Sequence, residues 1–498
     1  MSTTEKRFLL LAVFYLEIVF LAVIGSAQDF EAKITLVPGA PTTVQIEGKI
    51  LKQKIADSNK SWSFMRSFPG VENLGERIES LDLSNSQGQK VTFKSLVPGE
   101  YLAEEQAEKY LYQANLKTPN PAAMAHVSWI RDEQGILMLG DLLPQFTAAN
   151  NQPISAKITF QLPVDWKIIS REKKSGNGEF FVSDVEKAIF LIGKNWREKE
   201  ISVDKNNLNF AISGEWKFSD NEAFQMAGEI FAEYKKQLGD IPFENARINL
   251  IHFPSEISFD RWEAETRGAN VTILSSDMPF KTLSLQRLHE QLRHEIFHLW
   301  LPNSLALAGN YAWFYEGFTV YQSLRTALEM NQIRFEDFLR TLEQAQFIDS
   351  RRIRRTSLIE ASKNRWNDSS STVYARGMLI AFLCDLALLK NSKGKRSVAD
   401  LFRQILKLYP ISNKAVDGNT SVLSVLDGYA ELRPIVEKYV SAAEKINWQT
   451  ELESTGIESR ESGSVLKLQV KTKLQNQEKN LLEKLGYNNW RKSLGKSK

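Results

Sequence analysis

The sequence predicts a multidomain protein, with an N-terminal all-β, sandwich-like domain followed by an α+β domain that is mostly helical. Three observations carry this. At ~150 residues per domain, a chain of 498 residues has room for several hydrophobic cores. Apolar residues alternate with period two, punctuated by Gly, Pro and Asn, across residues 28–213. From Ser219 the apolar period becomes helical. The composition, 43% hydrophobic and 25% charged, is that of a globular chain rather than a disordered or membrane-embedded one. A net charge of +3 supplies no basic field for nucleic acid. Cys384, the single cysteine, excludes an intramolecular disulfide framework and a Cys-rich zinc module.

Along the chain, Lys6 and Arg7 precede an apolar run over residues 8–24 that ends in Gly25-Ser26-Ala27. This pattern predicts a signal peptide, residues 1–27, with the mature chain starting near Gln28. The competing expectation is an uncleaved N-terminal membrane anchor. Glu17 opposes a stable span, because a carboxylate at the bilayer centre costs about 2.5–3.5 kcal/mol. Export without disulfides fits a bacterial periplasm better than a small secreted scaffold. In residues 28–215 the predicted strands include Ile34 and Leu36, then Val44, Ile46 and Gly48, then Ile154, Ala156, Ile158 and Phe160, then residues 190–192 and 208–212. Ser219 and Glu222 form a capping box for a helix carrying Phe224, Ala227, Phe231, Tyr234 and Leu238 on one face. Strands follow at 248–253 and 271–274, and residues 283–439 are mostly helical, broken at Pro302, at Asn310, over the polar stretch 362–371 and at Pro410. This second domain spans 216–447. Residues 448–498 read as a short C-terminal tail with one strand, 465–470, and a charged helix over 476–485.

The chemistry concentrates where histidines do. His289, His294 and His298 fall within ten residues, and His294-Glu295-Ile296-Phe297-His298 is an H-E-x-x-H sequence in a helical pattern. Residues four apart share a helix face, so both imidazoles can reach one ion with Glu295 beside them. A tetrahedral catalytic zinc takes a third protein ligand and leaves a position open. Glu316, in an aromatic segment beyond the Pro302 break, is the candidate. His289, about 140° round the helix, is predicted to be solvated or on the cleft rim, and Arg293 to pair with Glu290. His252 is expected as a satisfied histidine at a strand end, and Cys384 as a buried small hydrophobe. Val320, four residues after Glu316, cannot support a ligating histidine, which leaves Thr319 or a distant residue for that purpose.

The segments HEIFHLW, beginning at His294, and WFYEGFTVY, beginning at Trp313, resemble the gluzincin metallopeptidases and most closely the glycyl aminopeptidase family, with its HExxHxW and W-x-x-E-G-F-T-x-Y patterns. The segment Thr372-Val373-Tyr374-Ala375-Arg376-Gly377-Met378-Leu379 is similar to that family's Y-x-K-G segment, and Val97-Pro98-Gly99-Glu100-Tyr101 to a P-G-x-Y segment of its β domain. The likeness covers most of residues 30–455. It implies a thermolysin-like catalytic domain holding a single Zn2+ through His294, His298 and Glu316, with Glu295 as general base. By the same resemblance Tyr374 is the oxyanion donor, and the substrate is a peptide or protein.

Three departures qualify the resemblance. Seventeen residues separate His298 from Glu316, one fewer than is common in such aminopeptidases. Where the family carries a Gly-rich strand whose glutamate holds the substrate's α-amine, this chain reads Arg267-Gly268-Ala269-Asn270-Val271-Thr272, with Asn270 in the glutamate's slot. Gly268, Ala269 and Asn270 are the expected substrate-binding residues, and the backbone of 268–272 is expected to take a peptide as an added strand. The tail is too short for the PDZ domain that family members often carry. The function expected is an exported, periplasmic or secreted, zinc-dependent peptidase, aminopeptidase-like. The alternatives are an endopeptidase or processing peptidase, and a catalytically silent peptide- or partner-binding scaffold. No nucleic acid and no stable membrane span after signal cleavage are expected.

Overall fold

The computed structural model describes residues 28–51, 60–69, 71–146, 153–254, 258–259, 261–351, 355–463 and 465–489. The predicted signal peptide lies outside the described residues. The chain divides into two compact units, residues 1–194 and 195–498.

Among the described residues of the first unit there are an eight-stranded, a four-stranded and a three-stranded sheet. The predicted alternation produces them. In Phe30–Leu36, side chains at every second position, Phe30, Ala32 and Ile34, point inward. This strand runs antiparallel to Thr43–Ile50 and parallel to Ala156–Gln161. The inward faces meet Trp62 and Tyr101 of the three-stranded sheet and Leu137, Phe190 and Ile192 of the four-stranded sheet in one core. Sheets sharing an apolar layer make this unit β-rich, as expected.

The second unit starts earlier than the sequence suggested. Strands β1 (Arg197–Val203) and β2 (Asn206–Ser213) form a hairpin, and β2 pairs in parallel with β3 (Asn245–His252) across the intervening helix α1 (Asp220–Leu238). The boundary therefore falls after Lys194 rather than near residue 215. Ser219 and Glu222 cap α1 reciprocally, as predicted. Strand β4 (Trp262–Arg267), which the sequence reading missed, turns back through Gly268 and Ala269 into β5 (Asn270–Ser275), giving the sheet order β1-β2-β3-β5-β4. Helices α2 (Lys281–Phe297), α3 (Ala312–Tyr315), α4 (Gly317–Glu329), α5 (Phe335–Ser350) and α6 (Leu358–Lys363) follow. Two π-helical turns, Arg365–Ser369 and Thr372–Arg376, lead into α7 (Gly377–Asn391), and α8 (Val398–Leu408) comes after it. The segment Thr372–Asn391 is long and apolar enough to cross a bilayer, but 89% of its apolar window is buried inside this unit, as suits a core helix. Cys384 is buried there, as expected.

The predicted tail is part of this unit. Strands β6 (Ile457–Ser462) and β7 (Val465–Val470) and helix α9 (Asn476–Lys484) place Ile457, Leu466, Leu468, Leu481 and Leu482 in the same core as α4 and α7. Arg325 of α4 donates to the carbonyls of Leu485 and, at 3.1 Å, Lys484.

Helices α4 and α7 approach backbone to backbone. A Cβ built on Gly377 would lie 2.8 Å from the Gly317 Cα and 2.7 Å from the Trp313 carbonyl oxygen, closer than packed carbons approach. Both glycines open a helix, where alanine ordinarily gains about 0.5–1 kcal/mol over glycine. Here Gly377→Ala is expected to reverse that sign and destabilise by about 1–3 kcal/mol through forced separation of the helices. Urea unfolding of the two proteins measures this, and an alanine variant as stable as the parent would show that the approach is not constraining.

Candidate metal centre

Helix α2 delivers the two histidines. Their spacing puts both on one face of its last turn, with His294 Nε2 and His298 Nε2 3.1 Å apart. Glu316 lies at the junction of α3 and α4 and brings its Oε2 to 3.4 Å from His294 Nε2 and 3.5 Å from His298 Nε2. Zinc bonds of about 2.0–2.1 Å in a tetrahedron imply ligand-to-ligand distances of about 3.3–3.4 Å. The three observed separations bracket that value. Glu316 Oε2 is buried and has no hydrogen-bond partner among the described residues, which is costly for a carboxylate oxygen unless a cation sits against it. The donor set thus fits zinc, and His294, Glu295 and His298 cluster with ligand atoms within 4.8 Å of one another.

The surroundings orient these groups. His298 Nδ1 lies 2.8 Å from the Leu301 carbonyl, and donation there leaves the Nε2 lone pair for a metal. This support comes from backbone just past the helix. Thr319, the nearer candidate in sequence, donates instead to the Tyr315 carbonyl. Burial opposes a charge on His298, yet the carboxylates of Glu316 and Glu295 outweigh it and raise the imidazole to about 9. Burial would likewise raise Glu316, but the Arg365 guanidinium and His298 hold it well below the usual carboxylate range. Glu295 is buried; its Oε2 accepts from the Thr266 hydroxyl at 3.0 Å, while Oε1 lies 3.9 Å from His294 Nε2.

Tyr374 sits on the π turn before α7, its ring centroid 6.3 Å from that of His294. Two residues on, Arg376 pins this turn by a buried ion pair to Asp349 of α5 at 3.1 Å. Burial, with Glu316 close by, pushes the Tyr374 phenol well above its ordinary value, so it stays a proton donor at neutral pH. The sequence reading missed Arg365, which donates to the Tyr374 hydroxyl at 2.7 Å and pairs with Glu316 Oε1 at 2.9 Å. It is the one arginine in the polar stretch 362–371, a signal that a break in helical pattern had hidden.

The expected substrate-binding residues Gly268, Ala269 and Asn270 are otherwise engaged. The Gly268 N–H donates to Asn303 Oδ1 at 2.7 Å, and the Ala269 carbonyl accepts from Arg247 N at 2.8 Å. Asn270 is buried at the start of β5, which has β3 on one side and β4 on the other, so no peptide can add along 270–272. Among the described residues β4 is the edge strand next to β5, and its Thr266 touches Glu295. Asn303 joins the two parts of the site, with Nδ2 donating to the carbonyls of Thr266 at 3.1 Å and His298 at 3.0 Å. Glu265, also on β4, pairs with Arg267 at 2.8 Å, and its charge is felt by the Tyr315 phenol.

His289 is not solvated. It is 5% exposed and its Nδ1 accepts from Arg293 Nη1 at 2.8 Å, because α2 is enclosed on that face by α1 and its neighbours. Glu290 pairs with Arg287 rather than Arg293. His252 ends β3 half-buried, its Nδ1 3.0 Å from the Phe253 carbonyl, as expected.

The fold, a β-rich unit followed by an α+β helical unit, is similar to that of solved M1 zinc metallopeptidases and is consistent with a gluzincin aminopeptidase-like fold. An aminopeptidase N family protein from Idiomarina loihiensis matches with a TM-score of 0.74 at 14% identity, covering 86% of this chain and 79% of its own. An M1 zinc metallopeptidase from Deinococcus radiodurans, a glutamate-to-alanine mutant bound to a Tyr-Ser-Ala substrate, matches with a TM-score of 0.54 at 13% identity, covering 84% of this chain and 94% of its own. A two-domain M1 zinc metallopeptidase mutant bound to L-arginine matches with a TM-score of 0.51 at 13% identity, covering 84% and 94%. No protein-family profile and no curated protein matches the sequence.

The enclosed His289 generates an acid-sensitivity prediction. Burial and the Arg293 cation push its imidazole down from 6.5 to about 3. Between those values the unfolded chain carries a proton here that the folded chain rejects, so stability falls as pH drops through this window. The slope from this residue approaches about 1.4 kcal/mol per pH unit. In urea unfolding at pH 7, 6 and 5, His289→Gln should lose less stability on acidification than the parent. Parallel curves for the two proteins would contradict the burial argument.

Proposed function

We propose that the chain is an exported zinc-dependent peptidase that hydrolyses peptide bonds, aminopeptidase-like, with a thermolysin-like catalytic unit behind a signal sequence. The observation that carries the reading is the spacing of His294 Nε2, His298 Nε2 and Glu316 Oε2, with Glu295 and Tyr374 beside them. The likeness to M1 zinc metallopeptidases, one of them holding a tripeptide substrate, supports it.

Zinc, when bound by His294, His298 and Glu316, supplies Lewis acidity that acidifies a water and polarises a carbonyl. The remaining work falls to side chains. Glu295 takes a proton at Oε1 while the Thr266 hydroxyl holds Oε2, and later returns that proton to the leaving amine. Tyr374, protonated, donates to the oxygen on which negative charge develops. The edge of β4 offers main-chain groups to an extended peptide. On that strand Glu263 and Glu265 are the carboxylates, and Glu265, whose charge reaches Tyr315, is the one proposed to meet a substrate α-amine in place of position 270. One observation favours the endopeptidase alternative, namely that Arg267 already occupies Glu265 at 2.8 Å.

Purified protein should contain zinc equimolar with chain. Glu295→Gln is expected to retain that zinc and to lose about 10²–10⁴-fold in kcat on peptides. Equal turnover by parent and variant across a peptide library would favour the silent scaffold. Free and N-acetylated versions of the same peptide separate the two peptidase readings. Glu265→Gln should raise KM for the free peptide alone, whereas equal cleavage of blocked and free peptides would sink the aminopeptidase assignment.

A further inference from the structure

The two oxygens of Glu316 have different surroundings. Oε2 faces His294 and His298, whereas Oε1 lies 2.9 Å from Arg365 Nη2. The same nitrogen donates to the Tyr374 hydroxyl at 2.7 Å, and Nη1 donates to the Tyr315 hydroxyl at 3.0 Å. Nη2 carries two hydrogens, so one serves the carboxylate and the other the phenol. A guanidinium is flat and its donors diverge at fixed angles, so three acceptors in these directions determine where it lies. The Trp366 ring covers it, 4.3 Å from centroid to guanidinium carbon. The side chain is 12% exposed, so water does not compete strongly for these contacts.

We propose that Arg365 is a positioning residue for both the metal and the oxyanion donor. Occupying Oε1, it leaves Glu316 a single oxygen to offer a cation. A carboxylate free at both oxygens can bind a cation through both, which would fill the position that a catalytic site keeps open. Arg365 also fixes the polarity of Tyr374. An arginine donates and never accepts, so the phenol oxygen must accept from it and the phenol's own proton must point elsewhere. The groups on its remaining side are Glu316, Glu295 and His294, the metal-facing groups of the centre. Lysine, a point charge on a flexible stem, cannot satisfy the three acceptors in one plane.

This inference rests on the zinc-peptidase reading, and its test separates the two. Zinc affinity is measured by chelator competition on the full chain and on Arg365→Gln and Arg365→Lys. The visible spectrum of each protein loaded with Co2+ reports coordination number. Both variants are expected to bind zinc about 10–100-fold more weakly. Their Co2+ bands should weaken towards those of higher coordination, and kcat should fall with little change in KM. Free guanidinium should restore part of the four-coordinate Co2+ spectrum to Arg365→Ala. Tyr374→Phe should lower kcat yet leave the Co2+ spectrum as in the parent. Folded variants with parental zinc affinity and Co2+ spectrum overturn the proposal. If Arg365→Gln does not fold, Arg365→Lys carries the same comparison, and a parental spectrum in it is equally decisive. A parent chain that takes up neither zinc nor Co2+ overturns the zinc-peptidase reading itself.

Discussion

Where α4 and α7 cross, Gly317 and Gly377 bring two backbones together with no side chain between them. Glu316 is the residue before one glycine, and Tyr374 stands in the π turn that leads into the other. The separation of the carboxylate from the phenol is thus set by a contact between main chains, which cannot be adjusted by a rotamer change. Hydrogen bonds of 2.9 and 2.7 Å from one arginine to both groups exist only at that separation. The same crossing anchors Trp313, whose carbonyl abuts Gly377 and whose ring is fully buried. A methyl group added here would act on the chemistry through geometry rather than through any change of charge.

The centre is a dense group of ionisable side chains, and Phe314 and Phe318, two residues either side of Glu316, belong to the apolar core. Charges in such surroundings persist only when paired. Glu316 has Arg365, the Thr372–Arg376 turn has its Arg376–Asp349 pair, and Glu295 has the Thr266 hydroxyl. Each pairing also immobilises a group that must not move. Asn303 extends this economy to the backbone, since one amide side chain joins the turn after β4 to the carbonyl of His298. The edge strand and the metal-bearing helix end are thereby linked directly.

What the sequence revealed depended on how local each feature is. The pair His294 and His298 was legible because the helical repeat alone places them together. Glu316 was legible from its aromatic neighbours, and the capping box at Ser219 from its two residues. Strand β4 was not, because Trp-Glu-Ala-Glu-Thr-Arg is half-buried on both faces and its alternation holds only two apolar residues, Trp262 and Ala264. With β4 unseen, the slot expected to hold a glutamate fell on Asn270 at the start of β5, while Glu263 and Glu265 lie on the neighbouring strand. Arg365 lay in a polar break, and its meaning arises from contacts with Tyr315, Glu316 and Tyr374 that only the tertiary fold brings about. His289 was misjudged because helical angle shows which residues share a face without showing that both faces are covered. The β1–β2 hairpin looked like the end of the β domain since its alternation is the same in either sheet, and only its parallel partner β3 decides the matter.

The hairpin β6–β7 and helix α9, which fill the same core as α4, have a consequence for biosynthesis. Domains fold as units while the chain is being made, the N-terminal one first. The β-rich unit is complete in sequence by Lys194, whereas the helical unit lacks Leu466, Leu468, Leu481 and Leu482 until synthesis has passed α9. Arg325, on the helix that Glu316 precedes, finds its carbonyl partners only at Lys484 and Leu485. A partly synthesised chain therefore carries His294, His298 and Glu316 before the frame that aligns them exists, so the centre takes shape only once the hairpin and α9 have packed.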